Sequence, residues 1–284
     1  MIIVLLKGGF GNQLFQYAIG KQLSVKYNMP LKLDLSFLEA EATGYTQRSF
    51  ELDKLNISAG IATQEEVERI KRRNRGKLFN RTKIRERNYS PFKIRLKPGR
   101  DYYLNGYWQS DKYFKEIGEI IREEFTFKEN PEDEYFIDMQ EQITSSDSVS
   151  VHFRRGDYIT NQPANKLFET CSPDYYRKAI DLIATRIGNP KLFIFSDDIS
   201  WVRQHFKTIY PTVFVDKSDI FRHSDFRLMA KCKHHIIANS TYSWWAAWLN
   251  PDKEKIVIAP RKWFRSKQEQ FKTKDKLPKE WIKI

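Results

Sequence analysis

The opening of the chain limits the fold more than any other feature. Ile2–Leu6 is a short run of β-branched and aliphatic residues stopped by Gly8-Gly9, and Asn12–Tyr27 then places Leu14, Tyr17, Ala18 and Leu23 at helical spacing. Leu31–Leu35 reads as a second strand. A strand, a glycine turn, a helix and a strand form the βαβ start of a doubly wound α/β sheet. The pattern returns after residue 148. Ser148–Phe153, Lys191–Phe195, Thr212–Val215, His235–Ala238 and Lys255–Ala259 read as strands, with helices expected over Pro173–Ile187, Ile199–Phe206, Ser224–Lys233 and Trp244–Leu249. Tyr102–Trp108 is a further strand, Asp111–Phe125 a helix, and Asn130–Ser148 a helix plus the linker between two lobes. The expected organisation is therefore an N-terminal lobe over 1–147, a second Rossmann-like lobe over 148–262, and a tail over 263–284 that packs back on the first lobe.

With 284 residues, 40% of them hydrophobic and 14% aromatic, the chain can bury two cores. The five apolar residues after Met1 are too few for a signal peptide or a membrane span, and Cys171 and Cys232 make no disulfide framework. The chain thus reads as cytoplasmic. A formal charge of +13, crowded into Arg69–Arg100 and Lys253–Lys283, favours an anionic partner. A solvated basic surface and peripheral contact with anionic lipid at the inner face of the cytoplasmic membrane both fit it. No zinc-finger, RNP1-like or basic-zipper pattern accompanies the charge, so nucleic acid is not expected.

Four segments at strand ends carry candidate chemistry. In GGFGNQ (8–13), Gly9 and Gly11 let backbone approach a ligand, and Asn12 and Gln13 add donors where the helix begins. Plain turn geometry would use the same glycines. In HFRRGD (152–157), an imidazole, two guanidinium groups and a carboxylate close a strand. Arginine grips phosphate oxygens bidentately and stays charged, which suits a pyrophosphate leaving group. Alternation along the strand puts His152 and Arg154 on one face and Arg155 on the other, so Arg154 can touch phosphate while Arg155 fixes the loop, with Asp157 as a partner. A surface ion-pair cluster is the plain alternative. Ser196 and Asp197 in SDD (196–198) either contact a ligand or cap the next helix. Asn239, Ser240 and Ser243 in NSTYSWW (239–245) either cradle phosphate or cap, and Trp244, Trp245 and Trp248 are assigned to the core. There is no Asp-x-Asp and no i,i+4 histidine pair, and His234-His235 read as structural, so no metal site is expected.

GGFGNQLFQYA, VHFRRGDY, FSDD and DFRLMAKCKHHIIANSTYSWWAAWL stand here in the order they have in the α-1,2-fucosyltransferases. The chain resembles the bacterial members of that family, glycosyltransferase family 11, from residue 7 to about 264. The resemblance implies a GT-B architecture, two Rossmann-like doubly wound lobes with an interlobe cleft. It also implies inverting, metal-independent transfer of L-fucose from GDP-β-L-fucose to the 2-hydroxyl of galactose in a surface glycan such as O-antigen or capsule. GDP-fucose would be donor substrate, with no cofactor, and a galactose-containing oligosaccharide or lipid-linked glycan the acceptor. By similarity to the wider fucosyltransferase group, His152 and Asp225 resemble guanine-recognising residues and Arg154 the pyrophosphate ligand. Ser240 and Ser243 resemble phosphate contacts, and Asn12 a residue facing the donor from the first lobe. Some relatives carry a glutamate shortly after the HxRRxD segment, where this chain has YITNQ. The general base stays open between Asp157 and the donor's own β-phosphate. Another GDP-sugar or another acceptor hydroxyl is the alternative enzyme, and a basic nucleotide-binding module the non-enzyme one. Acceptor choice is expected to lie in loops Glu39–Arg48 and Ile159–Cys171.

Overall fold

The computed structural model describes residues 1–41, 46–73, 82–86, 91–128, 133–216, 223–271 and 273–284; at 73, 157, 164 and 271 only the backbone is described. Much of the basic stretch Arg69–Arg100, and 42–45 of the loop Glu39–Arg48, lie outside these residues. The chain forms two compact units, one of Met1–Glu129 with Phe271–Pro278, the other of Asn130–Gln270 with Lys279–Ile284.

The first unit holds a parallel sheet of β1 (Ile2–Leu5), β2 (Leu31–Asp34), β3 (Gly60–Ile61), β4 (Lys83–Arg85) and β5 (Tyr102–Asn105), in the order β3-β2-β1-β5-β4. Every residue of β1 is buried, as a central parallel strand covered on both faces must be. The helix Phe10–Tyr27 lies against it and stops at Asn28, which takes the left-handed conformation (φ 49°) that closes helices. Gly20 makes this packing possible: a Cβ there would stand 2.7 Å from Val4 and 2.8 Å from Leu31. Asp111–Phe125 is not one helix. Two 3₁₀ turns, Asp111–Tyr113 and Lys115–Ile117, precede the helix Gly118–Glu124, and Phe114 leaves helical backbone (φ −144°) as Tyr113 and Phe114 are both buried.

The second unit holds the parallel sheet β6 (Ser148–Phe153), β7 (Lys191–Ser196), β8 (Thr212–Phe214), β9 (His234–Ile236), β10 (Val257–Ala259) and β11 (Ile282–Lys283), ordered β11-β10-β9-β6-β7-β8. Its core gathers Val149, Val151, Ile180, Ile183, Ile194 and Ile236 between sheet and helices. Trp244 and Trp245 are fully buried in the helix Thr241–Leu249, and His235 is a core residue hydrogen-bonded to Ser150 and Asn250.

Two expected boundaries move. The helix Glu134–Thr144 is part of the second unit, with the Arg227 guanidinium 4.2 Å above the Phe136 ring, so the division falls at 129/130 rather than 147/148. Of the tail 263–284, only Phe271–Pro278 joins the first unit; its ends stay with the second, where Arg261 N–H donates to Ile284.

Candidate functional site

In a doubly wound sheet the ligand crevice opens at the carboxyl ends of strands where the strand order reverses. In the second unit the chain leaves β6 towards β7 and later returns to the other side as β9, so the reversal lies between β6 and β9. The three sequence segments of this unit come off these strands. His152 Nδ1 lies 2.9 Å from Ser243 Oγ, joining the end of β6 to the helix after β9. The imidazole is buried, and burial pulls its pKa down to about 4 despite the nearby Asp197 carboxylate, so it is neutral at physiological pH.

Arg154 and Arg155 divide their work. Arg154 Nη1 pairs with Asp197 Oδ2 at 2.8 Å, and the Arg155 backbone N–H donates to Asp197 Oδ1, also at 2.8 Å, so one carboxylate ties the β6 loop to the β7 loop. The Arg155 side chain turns away, donating from Nε to Asp198 at 3.2 Å and stacking 3.3 Å above the Trp201 ring. Gly156 follows because a Cβ there would meet Asp197 Oδ2 at 2.5 Å. Within SDD the two readings separate by residue. Ser196 accepts from Asp198 N–H and Asp198 caps the helix Ile199–His205, whereas Asp197 faces Arg154.

Asn239 is buried and occupied by the fold: its Nδ2 donates to Glu169 and Trp263 carbonyls, its Oδ1 accepts from the Cys171 thiol, and its carbonyl accepts from Tyr158 Oη. Ser240 caps the helix Thr241–Leu249 through Tyr242 N–H. The N-terminus of this nine-residue helix points its dipole at the same strand ends. Asp225 stands in the first turn of the helix Ser224–Lys231, whose Phe226 ring meets Tyr242 edge-on at 5.1 Å. Tyr242 in turn lies 6.1 Å from the His152 ring. Tyr242 and Tyr158 were not singled out from the sequence, although both lie inside the quoted segments. Asp157 lies in the short helix Gly156–Thr160, and its side chain is outside the described residues.

In the first unit the order reverses between β1 and β5, beside the glycine turn. Gly8 has φ 77°, and Gly9 starts the helix without a side-chain cap. Gln13 is fully buried and holds the turn: Nε2 donates to Gly8 and Ser49 carbonyls and Oε1 accepts from Glu51 N–H. Gly11 is buried in the helix. Asn12 Oδ1 accepts from Gln109 Nε2 at 2.6 Å. Among the described residues no group of three or more metal-ligating side chains occurs, and no helix is long and apolar enough to cross a membrane.

Two Rossmann-like units, one of them presenting a neutral imidazole, an arginine and a capped helix N-terminus at its strand reversal, make up a GT-B glycosyltransferase. The chain belongs to glycosyl transferase family 11, whose family model matches residues 1–284. It is 35% identical to an alpha-1,2-colitosyltransferase of Escherichia coli across 100% of this chain and 99% of that one. It is 34% identical to the O-antigen biosynthesis glycosyltransferase WbnK of the same organism, across 98% and 99%. A galactoside alpha-(1,2)-fucosyltransferase 1 of Saimiri sciureus is 29% identical over 51% of this chain and 42% of its own.

Proposed function

We propose that the protein transfers L-fucose from GDP-β-L-fucose to the 2-hydroxyl of a galactose residue, with inversion, in a bacterial surface glycan such as O-antigen. The observation that carries this reading is the Arg154–Asp197 pair beside the buried His152–Ser243 hydrogen bond at the β6/β9 reversal. Neutral His152, with Asp225, would read the guanine edge, and Ser240 and Ser243 would meet phosphate at the helix N-terminus. Asn12 would face the donor from the first unit.

In the reaction the bond between fucose C1 and the β-phosphate oxygen breaks, its electron pair staying on GDP. The galactose 2-oxygen bonds to C1 from the opposite face and gives up its proton. Positive charge grows on the sugar ring and negative charge on the β-phosphate. Asp197 fixes Arg154 so that its guanidinium is already aimed when that charge appears, which is how a preoriented donor lowers a barrier. Arg155, engaged with Asp198 and Trp201, would act on the substrate only by holding this loop. Asp157 or the departing β-phosphate would take the proton. The leaving group is served by arginine and a helix N-terminus in this scheme, so no metal and no cofactor are assigned to it.

A second donor has a specific observation in its favour, the full-length similarity to an alpha-1,2-colitosyltransferase. Colitose is fucose without its 3-hydroxyl, so both reactions use the same leaving group and geometry. The test is GDP release from GDP-fucose and GDP-colitose with a β-galactoside acceptor in EDTA, the linkage read by NMR. Fucα1–2Gal formed under chelation is the expected product. Transfer only from GDP-colitose would replace the donor, and transfer to another hydroxyl would replace the regiochemistry. If transfer stops on chelation, the metal-free scheme is wrong.

A further inference from the structure

A buried relay of hydrogen bonds in the first unit ends at Asn12. Lys276 comes from the returning segment Phe271–Pro278, is 3% exposed, and donates from Nζ to Gln109 Oε1 at 2.5 Å. Gln109 Nε2 then donates to Asn12 Oδ1 at 2.6 Å. The segment is fastened beside this point by Ser110 Oγ, which donates to the Asp275 carbonyl at 2.6 Å, and by the Lys112–Asp275 ion pair. Gln109 is set in place by the turn before it, where the partly buried Glu86 carboxylate accepts the backbone N–H groups of Tyr107 and Trp108 at 2.8 and 2.9 Å.

The relay has a polarity. In its protonated form Lys276 only donates, so Gln109 then turns its oxygen to Lys276 and its NH₂ to Asn12, as the two contacts show. Asn12 must then turn its own oxygen to Gln109, which leaves its NH₂ as the outward group. That NH₂ sits over Gly8, where a Cβ would be 2.5 Å from Asn12 Nδ2, and no described residue accepts from it. A carboxamide without this relay could flip and offer either face.

We infer that Lys276 and Gln109 are positioning residues that hold Asn12 as a hydrogen-bond donor to an oxygen of the bound substrates, either a donor phosphate or sugar oxygen or an acceptor hydroxyl. The inference rests on the proposed transfer only for which oxygen is met. Burying an ammonium is costly, and here burial pulls the Lys276 pKa down to about 7 in spite of Glu86. A lysine serving only solubility would not be placed there.

The experiment is a double-mutant cycle on the full chain. Lys276→Met should lower kcat/KM by about tenfold, the scale of one misdirected hydrogen bond, and Lys276→Arg should restore most of it. In an Asn12→Ala background, Lys276→Met should do nothing further. A rise in KM for GDP-fucose identifies a donor oxygen, and a rise in KM for the galactoside identifies an acceptor hydroxyl. Gln109→Glu keeps the lysine pair and folding but offers Asn12 only an acceptor, so it should flip the carboxamide and cost at least as much. Additive losses in the cycle, or a fully active Gln109→Glu, overturn the inference. The side-chain amide resonances of Asn12 read the relay without turnover. If they shift in Lys276→Met while wild-type protein transfers nothing from GDP-fucose, the relay stands and the donor reading falls. If they do not move, the relay falls whatever the donor.

Discussion

His152 and His235 are two buried imidazoles in one unit, and they fix how stability responds to acid. Burial lowers the pKa of His152 to about 4 and of His235 to about 3, against an ordinary 6.5 in the unfolded chain. Both folded values are depressed, so the unfolded chain binds protons first as pH falls. The stability these rings contribute is intact above pH 6.5 and is lost as pH falls towards 4 and 3. The slope is about 1.4 kcal/mol per pH unit for each ring inside that window. From pH 8 to pH 5 each ring therefore costs about 2 kcal/mol, a sizeable part of a typical folding free energy of 5–15 kcal/mol. Urea unfolding of wild type and His235→Gln at intervals from pH 8 to pH 5 isolates one ring. The variant starts less stable, because the hydrogen bonds of His235 to Ser150 Oγ (2.8 Å) and Asn250 Nδ2 (3.0 Å) are disturbed, but its curve should be flatter by about 2 kcal/mol over the range. Parallel curves, or an imidazole resonance of His152 or His235 titrating near pH 6.5, would refute the reasoning.

Arg154→Ala should leave the thermal midpoint nearly unchanged and lower kcat by roughly 10²–10³, as loss of one preoriented donor does; near-normal turnover would remove Arg154 from the leaving group. Gly156→Ala puts a methyl 2.5 Å from Asp197 Oδ2, so it should break the Arg154–Asp197 pair and reduce transfer with little change in GDP-independent unfolding of the first unit, monitored by hydrogen exchange. Gly20→Ala should destabilise the first unit by about 1–3 kcal/mol, the usual cost of overpacking, because its Cβ would stand 2.7 Å from Val4; an unchanged urea midpoint would contradict the packing described.

How much of this was legible in the sequence follows from where the information lies. β1, β6 and β7 were readable because strands buried on both faces are runs of apolar residues, and the helix Pro173–Ile187 because its Pro173 and Ser172 mark the start and Tyr176, Ala179, Ile180 and Ile183 line one face. The short strands β3, β4 and β11 escaped: two or three residues leave no period, and both residues of β3 are exposed. The strand-end segments of the second unit were visible as residue types, but the division of labour inside SDD and between the paired arginines needed partners 42 and 43 residues away. The relay to Asn12 was not legible at all. Gln109 and Lys276 are 167 residues apart, and Lys276 looks in sequence like one more lysine of a basic tail.

The adjacent arginines show how neighbours in sequence become a functional arrangement. Arg154 and Arg155 follow Phe153, the last residue of β6, and their side chains leave it for different partners. The fold gives each a different environment. Arg155 meets an indole face and a carboxylate that already caps a helix, a setting in which stacking and charge hold a guanidinium in place. Arg154 meets Asp197, whose second oxygen is bound by the backbone N–H of Arg155 itself. Moving Arg155 therefore moves the partner that aims Arg154. Loss of Arg155 should act on transfer through orientation, as a fall in kcat that Arg155→Lys does not repair, since an ammonium can neither stack flat on Trp201 nor hold the same fork.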